Sequence, residues 1–141
     1  MYSDTQVVLD HLGLDQPHVP PPPDEPFADL ESVLALAEFE NVSIKISGAC
    51  TLAHRPFPYE HIWPPLLEIL ERYGVKRCLW GTDWTRAIRL LTYEQGVKAF
   101  TTTPHLSKSE RADLMGLNLM RLYDWRPSKG RWGRSLPAGS G

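Results

Sequence analysis

Three short apolar runs, separated by stretches of helical periodicity, decide what this 141-residue chain can fold into. The runs are QVVLDH (6–11), NVSIKIS (41–47) and RCLWG (77–81). Val7, Val8 and Leu9 are continuous, as in a strand buried on both faces. Val42, Ile44 and Ile46 alternate with Ser43, Lys45 and Ser47, the period of a strand and not of a helix. Between the runs, Phe27, Leu30, Val33, Leu34 and Ala37 recur at helical spacing and predict a helix over 27–39, broken at Asn41. A second helix is predicted over 60–73. Pro64 and Pro65 fall near its start, where missing N–H groups cost least, and Gly74 stops it. Further helices are predicted over 92–100 and over 107–123, the last opened by a capping box of Ser107 and Glu110. Strands alternating with helices specify an α/β fold with a parallel sheet.

The remaining composition narrows the function. Hydrophobic residues make up 42% and charged residues 23%, ordinary values for one globular domain. The formal charge is −2 and the basic residues are scattered, which argues against a nucleic-acid partner. No apolar run approaches the ~20 residues of a membrane helix. The segment MYSDTQVVLD lacks the basic and apolar regions of a signal peptide. Cys50 and Cys78 form no C-x-x-C pair and read as free thiols in a cytoplasmic protein. QPHVPPPPDEP (16–26) reads as an extended surface loop, without the flanking basic residues that would orient a proline-recognising partner. Residues 1–126 read as the folded part and 127–141 as a disordered tail.

In a parallel βα architecture, reacting groups gather where strands end. The first run ends in Asp10–His11–Leu12–Gly13, the second carries Lys45 and Ser47 before Gly48, and the third ends in Gly81–Thr82–Asp83–Trp84. Each has a plain structural explanation. A lone histidine is most often a core residue bonded to a carbonyl, Asp10 can cap a loop or fix the tautomer of His11, Lys45 can snorkel, and Asp83 can cap a helix. Their arrival at matching ends of consecutive strands favours a site.

VVLDHLG, NVSIKISG and LWGTDW, in this order, resemble the last three strand ends of the amidohydrolase-related family of TIM-barrel hydrolases. The closing LMGLNLMRLYDW is similar to that family's terminal helix. The resemblance spans roughly residues 6–125. It implies the C-terminal part, about three βα units, of a (β/α)₈ barrel, and hydrolysis of a lactone or related cyclic ester or amide. It implies Asp83 as the base toward a hydrolytic water and His11 as the group that polarises the carbonyl or binds a metal. Lys45, Ser47 and Arg55 are implied substrate contacts, Arg55 suiting a carboxylate. The family has members with a divalent metal such as zinc, held in part by His11 and Asp83, and members with none.

The same comparison marks what the chain lacks. A complete barrel needs about 250 residues. The family's first-strand H-x-H has no counterpart, since the histidines stand at 11, 18, 54, 61 and 105. Leu14 occupies the place where some lactonases of the family carry Arg. Three strands leave two open edges and an inner face expected to be apolar, so a partner chain or self-association completing the barrel is expected. The alternative is a non-catalytic truncated fragment or assembly element.

Overall fold

Parallel pairing of the three expected strands organises the molecule, whose computed structural model describes residues 4–127. All but the first residue of the segment expected to be disordered lies outside the described residues. Strands β1 (Val7–Leu9), β2 (Val42–Ser47) and β3 (Cys78–Gly81) lie in that order. Val8 sits beside Ser43, Lys45 beside Leu79, and Ser47 beside Gly81. Helix α1 (Leu30–Ala35) joins β1 to β2, and α2 (Trp63–Tyr73) joins β2 to β3. After β3 come α3 (Trp84–Ala87), α4 (Tyr93–Thr101), α5 (Lys108–Ala112) and α6 (Asn118–Leu122).

Strand alternation sends Val42, Ile44, Ile46 and Cys78 to one face. There they join Val33 and Leu34 of α1, Leu66, Ile69 and Leu70 of α2, and Phe100 of α4 in one buried cluster. Each fully buried aliphatic side chain contributes about 1.5–3 kcal/mol. The opposite face carries Ser43, Lys45, Ser47 and Gly81 beside Val8 and Leu79. The inner face is therefore largely polar, unlike the apolar face expected from strand count alone. Leu119 of α6 and Tyr123, just after it, line a cavity on this side together with Leu79.

Helix boundaries follow local chemistry. Pro64 and Pro65 occupy the first turn of α2, and Gly74, at φ 73°, ends it in a conformation that other residues resist. Thr92 with Gln95, and Ser107 with Glu110, form reciprocal capping boxes. The expected helix over 27–39 is shorter, passing into a tight 3₁₀ turn at Leu36–Glu38. The expected helix over 107–123 is interrupted by a π-helical turn, Asp113–Leu117, which contains Gly116. The extra residue in that turn changes which side chains face inward. Asn118 thereby becomes buried, and its Nδ2 donates to the carbonyls of Val75 (2.6 Å) and Cys78 (2.7 Å).

The edges are short. Val7 N–H bonds to Asn41 O and Gly48 N–H to Gly81 O, so Val7, Leu9, Leu79 and Gly81 turn their backbone groups toward β2. By alternation, Val8, Cys78 and Trp80 turn theirs outward, and the Cys78 carbonyl is already taken by Asn118. At the N-terminal ends of the strands, Arg77 stacks on Tyr73 and donates to the carbonyls of Tyr73, Phe39, Val42 and Ala37. That latch lies at the opposite end of the sheet from the groups described next.

Both cysteines are free and buried. Burial pushes the Cys50 and Cys78 thiols up to about 12. Alkylation of the folded chain near pH 8 is expected to run on the order of 10³-fold slower than that of an ordinary thiol, and to reach both residues once urea unfolds it. Mass spectrometry of iodoacetamide-treated protein checks this; rapid labelling under native conditions would contradict it.

Candidate active site

The chain leaves β1 through an unusual turn. His11, Leu12 and Gly13 all have positive φ (50°, 62° and 65°). For two non-glycine residues this is a strained conformation that must be held from outside. It is held by His11 N–H, which donates to Asp10 Oδ1 (3.0 Å) and Ser47 Oγ (3.3 Å), and by Leu12, which is fully buried. Asp83 repeats the pattern at the end of β3, with φ 46°. Its side chain makes no capping bond to α3, so a helix cap does not account for it.

The two strained turns bring their side chains together. His11 Nδ1 lies 3.3 Å from Asp83 Oδ2, and Arg86 Nε lies 3.6 Å from the same oxygen. The Asp83 side chain is 8% exposed, and Oδ2 is buried without an aligned hydrogen bond. A carboxylate so placed is costly unless charge or a ligand compensates it. Here two cationic or polarisable groups stand close without a formed hydrogen bond.

The partners of His11 assign its tautomer. Burial works to raise the pKa of the Asp10 carboxyl, but the charges and hydrogen bonds of His11 and Lys45 outweigh it and hold the group below its ordinary value. Asp10 is thus an acceptor at neutral pH and accepts hydrogen bonds from the Ser47 hydroxyl (3.2 Å) and the Lys45 ammonium (3.3 Å). Ser47 Oγ is left to accept from His11 Nδ1 (3.1 Å). With Ser47, Asp83 and Asp10 oxygens all around it, Nδ1 of the neutral ring carries the proton and Nε2 is the basic nitrogen.

Four of the five side chains singled out from sequence therefore converge. Asp83, His11, Lys45 and Ser47 line one cavity of about 240 Å³ at the C-terminal ends of the strands, with Asp10 beside them and Leu79, Leu119 and Tyr123 as its apolar wall. Arg55 does not join them: it lines a separate cavity of about 300 Å³ with Pro20, Pro22, His54 and Tyr59. Two further residues belong to the group and were not anticipated. Arg86 stands one helical turn after Asp83, a spacing that could have flagged it. Gln16 opens the proline-rich segment, where nothing in the sequence sets it apart.

Two of the other histidines serve the scaffold. His61 Nε2 accepts the backbone N–H of His54 (2.8 Å), and His105 pairs with Glu60 (2.8 Å) while stacking on Trp63. Among the described residues no group of three or more metal-binding side chains occurs. Nor is any helix among them long and apolar enough to cross a membrane.

Comparison with known proteins gives these groups a context. A family model described as Amidohydrolase matches residues 2–125. A crystal structure of an amidohydrolase from Burkholderia multivorans with bound zinc aligns with TM-score 0.70 and 25% identity, covering 86% of this chain and 45% of that one. A proposed 2-pyrone-4,6-dicarboxylic acid hydrolase from Pseudomonas putida aligns with TM-score 0.61 and 24% identity over 84% and 43% of the two chains. Amidohydrolase 2 from Bifidobacterium longum subsp. infantis aligns with TM-score 0.56 and 24% identity over 87% and 41%. The chain thus spans less than half the length of these structures. The comparison with curated proteins finds no match.

Proposed function

The chain belongs to the amidohydrolase family, and we propose that it carries the base and electrophile side of a hydrolytic site acting on a lactone or related cyclic ester or amide. The observation that carries this reading is the 3.3 Å approach of His11 Nδ1 and Asp83 Oδ2 at a shared strand-end rim.

Asp83 is the base. Its carboxylate lines the cavity, where it would take a proton from a water attacking the carbonyl, while its buried Oδ2 faces His11 and Arg86. His11 stands on the electrophile side. Its Nδ1–H is held by Ser47, beside Asp83, which leaves Nε2 a lone pair with no proton to donate; that nitrogen would serve the carbonyl by holding a metal ion that polarises it. Lys45 and Ser47 act first on Asp10 and His11, and meet the substrate from the floor of the same cavity. Arg55 reaches only a substrate that extends to its own cavity, where a guanidinium suits a carboxylate.

A divalent cation such as zinc is compatible with these donors but not satisfied by them. Zinc takes three or four protein ligands, and the chain offers the unpartnered Asp83 oxygen and the His11 imidazole. When bound, such an ion would polarise the scissile carbonyl; the other ligands would have to come from elsewhere. The open sheet and the 45% coverage favour completion of the barrel by further polypeptide, a partner chain or a second copy. They equally suit a second reading, in which the chain is a non-catalytic fragment or assembly element. Two buried reduced thiols suit a cytoplasmic setting.

The test combines light-scattering mass, zinc content and hydrolysis of a lactone panel. Hydrolysis is expected only in a preparation whose mass shows added polypeptide closing the sheet. A metal-free monomer, and a closed assembly equally without hydrolysis, would leave the assembly-element reading.

A further inference from the structure

Gln16 is 3% exposed, and an amide that deep needs partners. Its partners are the ends of the strands. Gln16 Nε2 donates to the carbonyls of His11 (3.2 Å) and Ser47 (2.8 Å). Its own backbone carbonyl accepts from Arg86 Nη1 (3.0 Å), and the same guanidinium lies 3.6 Å from Asp83 Oδ2. One residue outside the sheet therefore ties the loop after β1, the last residue of β2 and the turn after β3.

The cost of this arrangement is visible. Gln16 Oε1 is buried without a donor. Turning the amide over would give that oxygen a new place but set it against two carbonyl oxygens, so the two donated bonds fix the orientation. The backbone makes room for it at Gly48, φ 69°, where a Cβ would lie 2.2 Å from Gln16 Oε1 and 3.3 Å from Asp83 Cβ. An unsatisfied buried acceptor and strained φ at His11 and Asp83 cluster where three strand ends meet, as strain does at working sites.

We infer that Gln16 is a positioning residue: it holds the left-handed His11 turn so that the imidazole stays between Ser47 and Asp83. This rests on the reading of His11 and Asp83 as the reacting pair. Without the two donated bonds the His11 carbonyl is released, the turn relaxes, and Nδ1 loses its ring of acceptors.

The test reads the His11 ring itself in the full chain, with ¹⁵N-labelled histidine near pH 8, its signals assigned by their loss in His11→Gln. In the parent protein the neutral ring is expected as the Nδ1–H tautomer. In Gln16→Met, which keeps bulk but donates nothing, the ring signals move toward the Nε2–H form while backbone resonances of β2 and α2 hold. Gln16→Glu, which swaps the donor for an acceptor, is expected to do the same. Ring signals superimposed on the parent's in either variant would overturn the inference, as would failure of both variants to fold, which would mark Gln16 as a scaffold residue. The readout needs no turnover. Absent hydrolysis by the closed parent assembly, with the ring displaced in the variants, counts against the hydrolase reading alone; hydrolysis by that assembly, with the ring undisplaced in the variants, counts against Gln16 alone.

Discussion

Asp83→Asn is expected to lower hydrolysis by about 10²–10⁴-fold wherever this sheet is closed into a working barrel, the range that general bases supply. The substitution keeps the shape of a side chain that is 8% exposed and removes only its capacity to take a proton. Stability should change little, within about 1 kcal/mol. The lost attraction to His11 and Arg86 is offset by no longer burying a charge whose Oδ2 has no hydrogen bond. Initial rates on lactones, read beside thermal melts, check both halves. A drop in melting temperature that tracks the loss of rate would make Asp83 a structural residue.

Trp63→Ala carries the largest expected effect on folding. Trp63 is 1% exposed and its ring packs 5.3 Å from Phe100 and 5.0 Å from His105, joining α2 to α4 and to the turn before α5. Removing a buried aromatic costs about 3–5 kcal/mol, against roughly 5–15 kcal/mol for a whole domain. The urea midpoint by circular dichroism should collapse toward zero. Leu67→Ala on the same helix, at 36% exposure, should move it far less. Equal shifts in the two variants would mean that α2 is not packed as described.

What was legible in the sequence follows physical range. Strand alternation in VSIKIS and the helical spacing of Ile62, Leu66, Ile69, Leu70 and Tyr73 depend on neighbours a few residues away, and both elements form where that periodicity places them. Convergence of Asp83, His11, Lys45 and Ser47 was legible because parallel strands put their C-terminal ends on one side. Arg55 falls elsewhere because it sits seven residues past Gly48 in an irregular loop, whose path no period constrains. Gln16 was invisible for a related reason. Its value lies in two carbonyls, those of His11 and Ser47, and backbone acceptors leave no mark on a sequence. The π turn is a third case: Gly116 weakens the helix there, but the inserted residue is chosen by Asn118 reaching Val75 and Cys78.

The brevity of the outer edges governs what can meet this sheet. Val8 on one side and Trp80 on the other are the outward-facing backbone positions left for a visitor, because Asn118 already occupies the carbonyl of Cys78. A floppy peptide would gain a bond or two at each seam and fall away again, which blunts any runaway stacking of copies through their margins. A lasting neighbour has to pair at both Val8 and Trp80 and cover Leu119 and Tyr123 besides, as the missing walls of a barrel would.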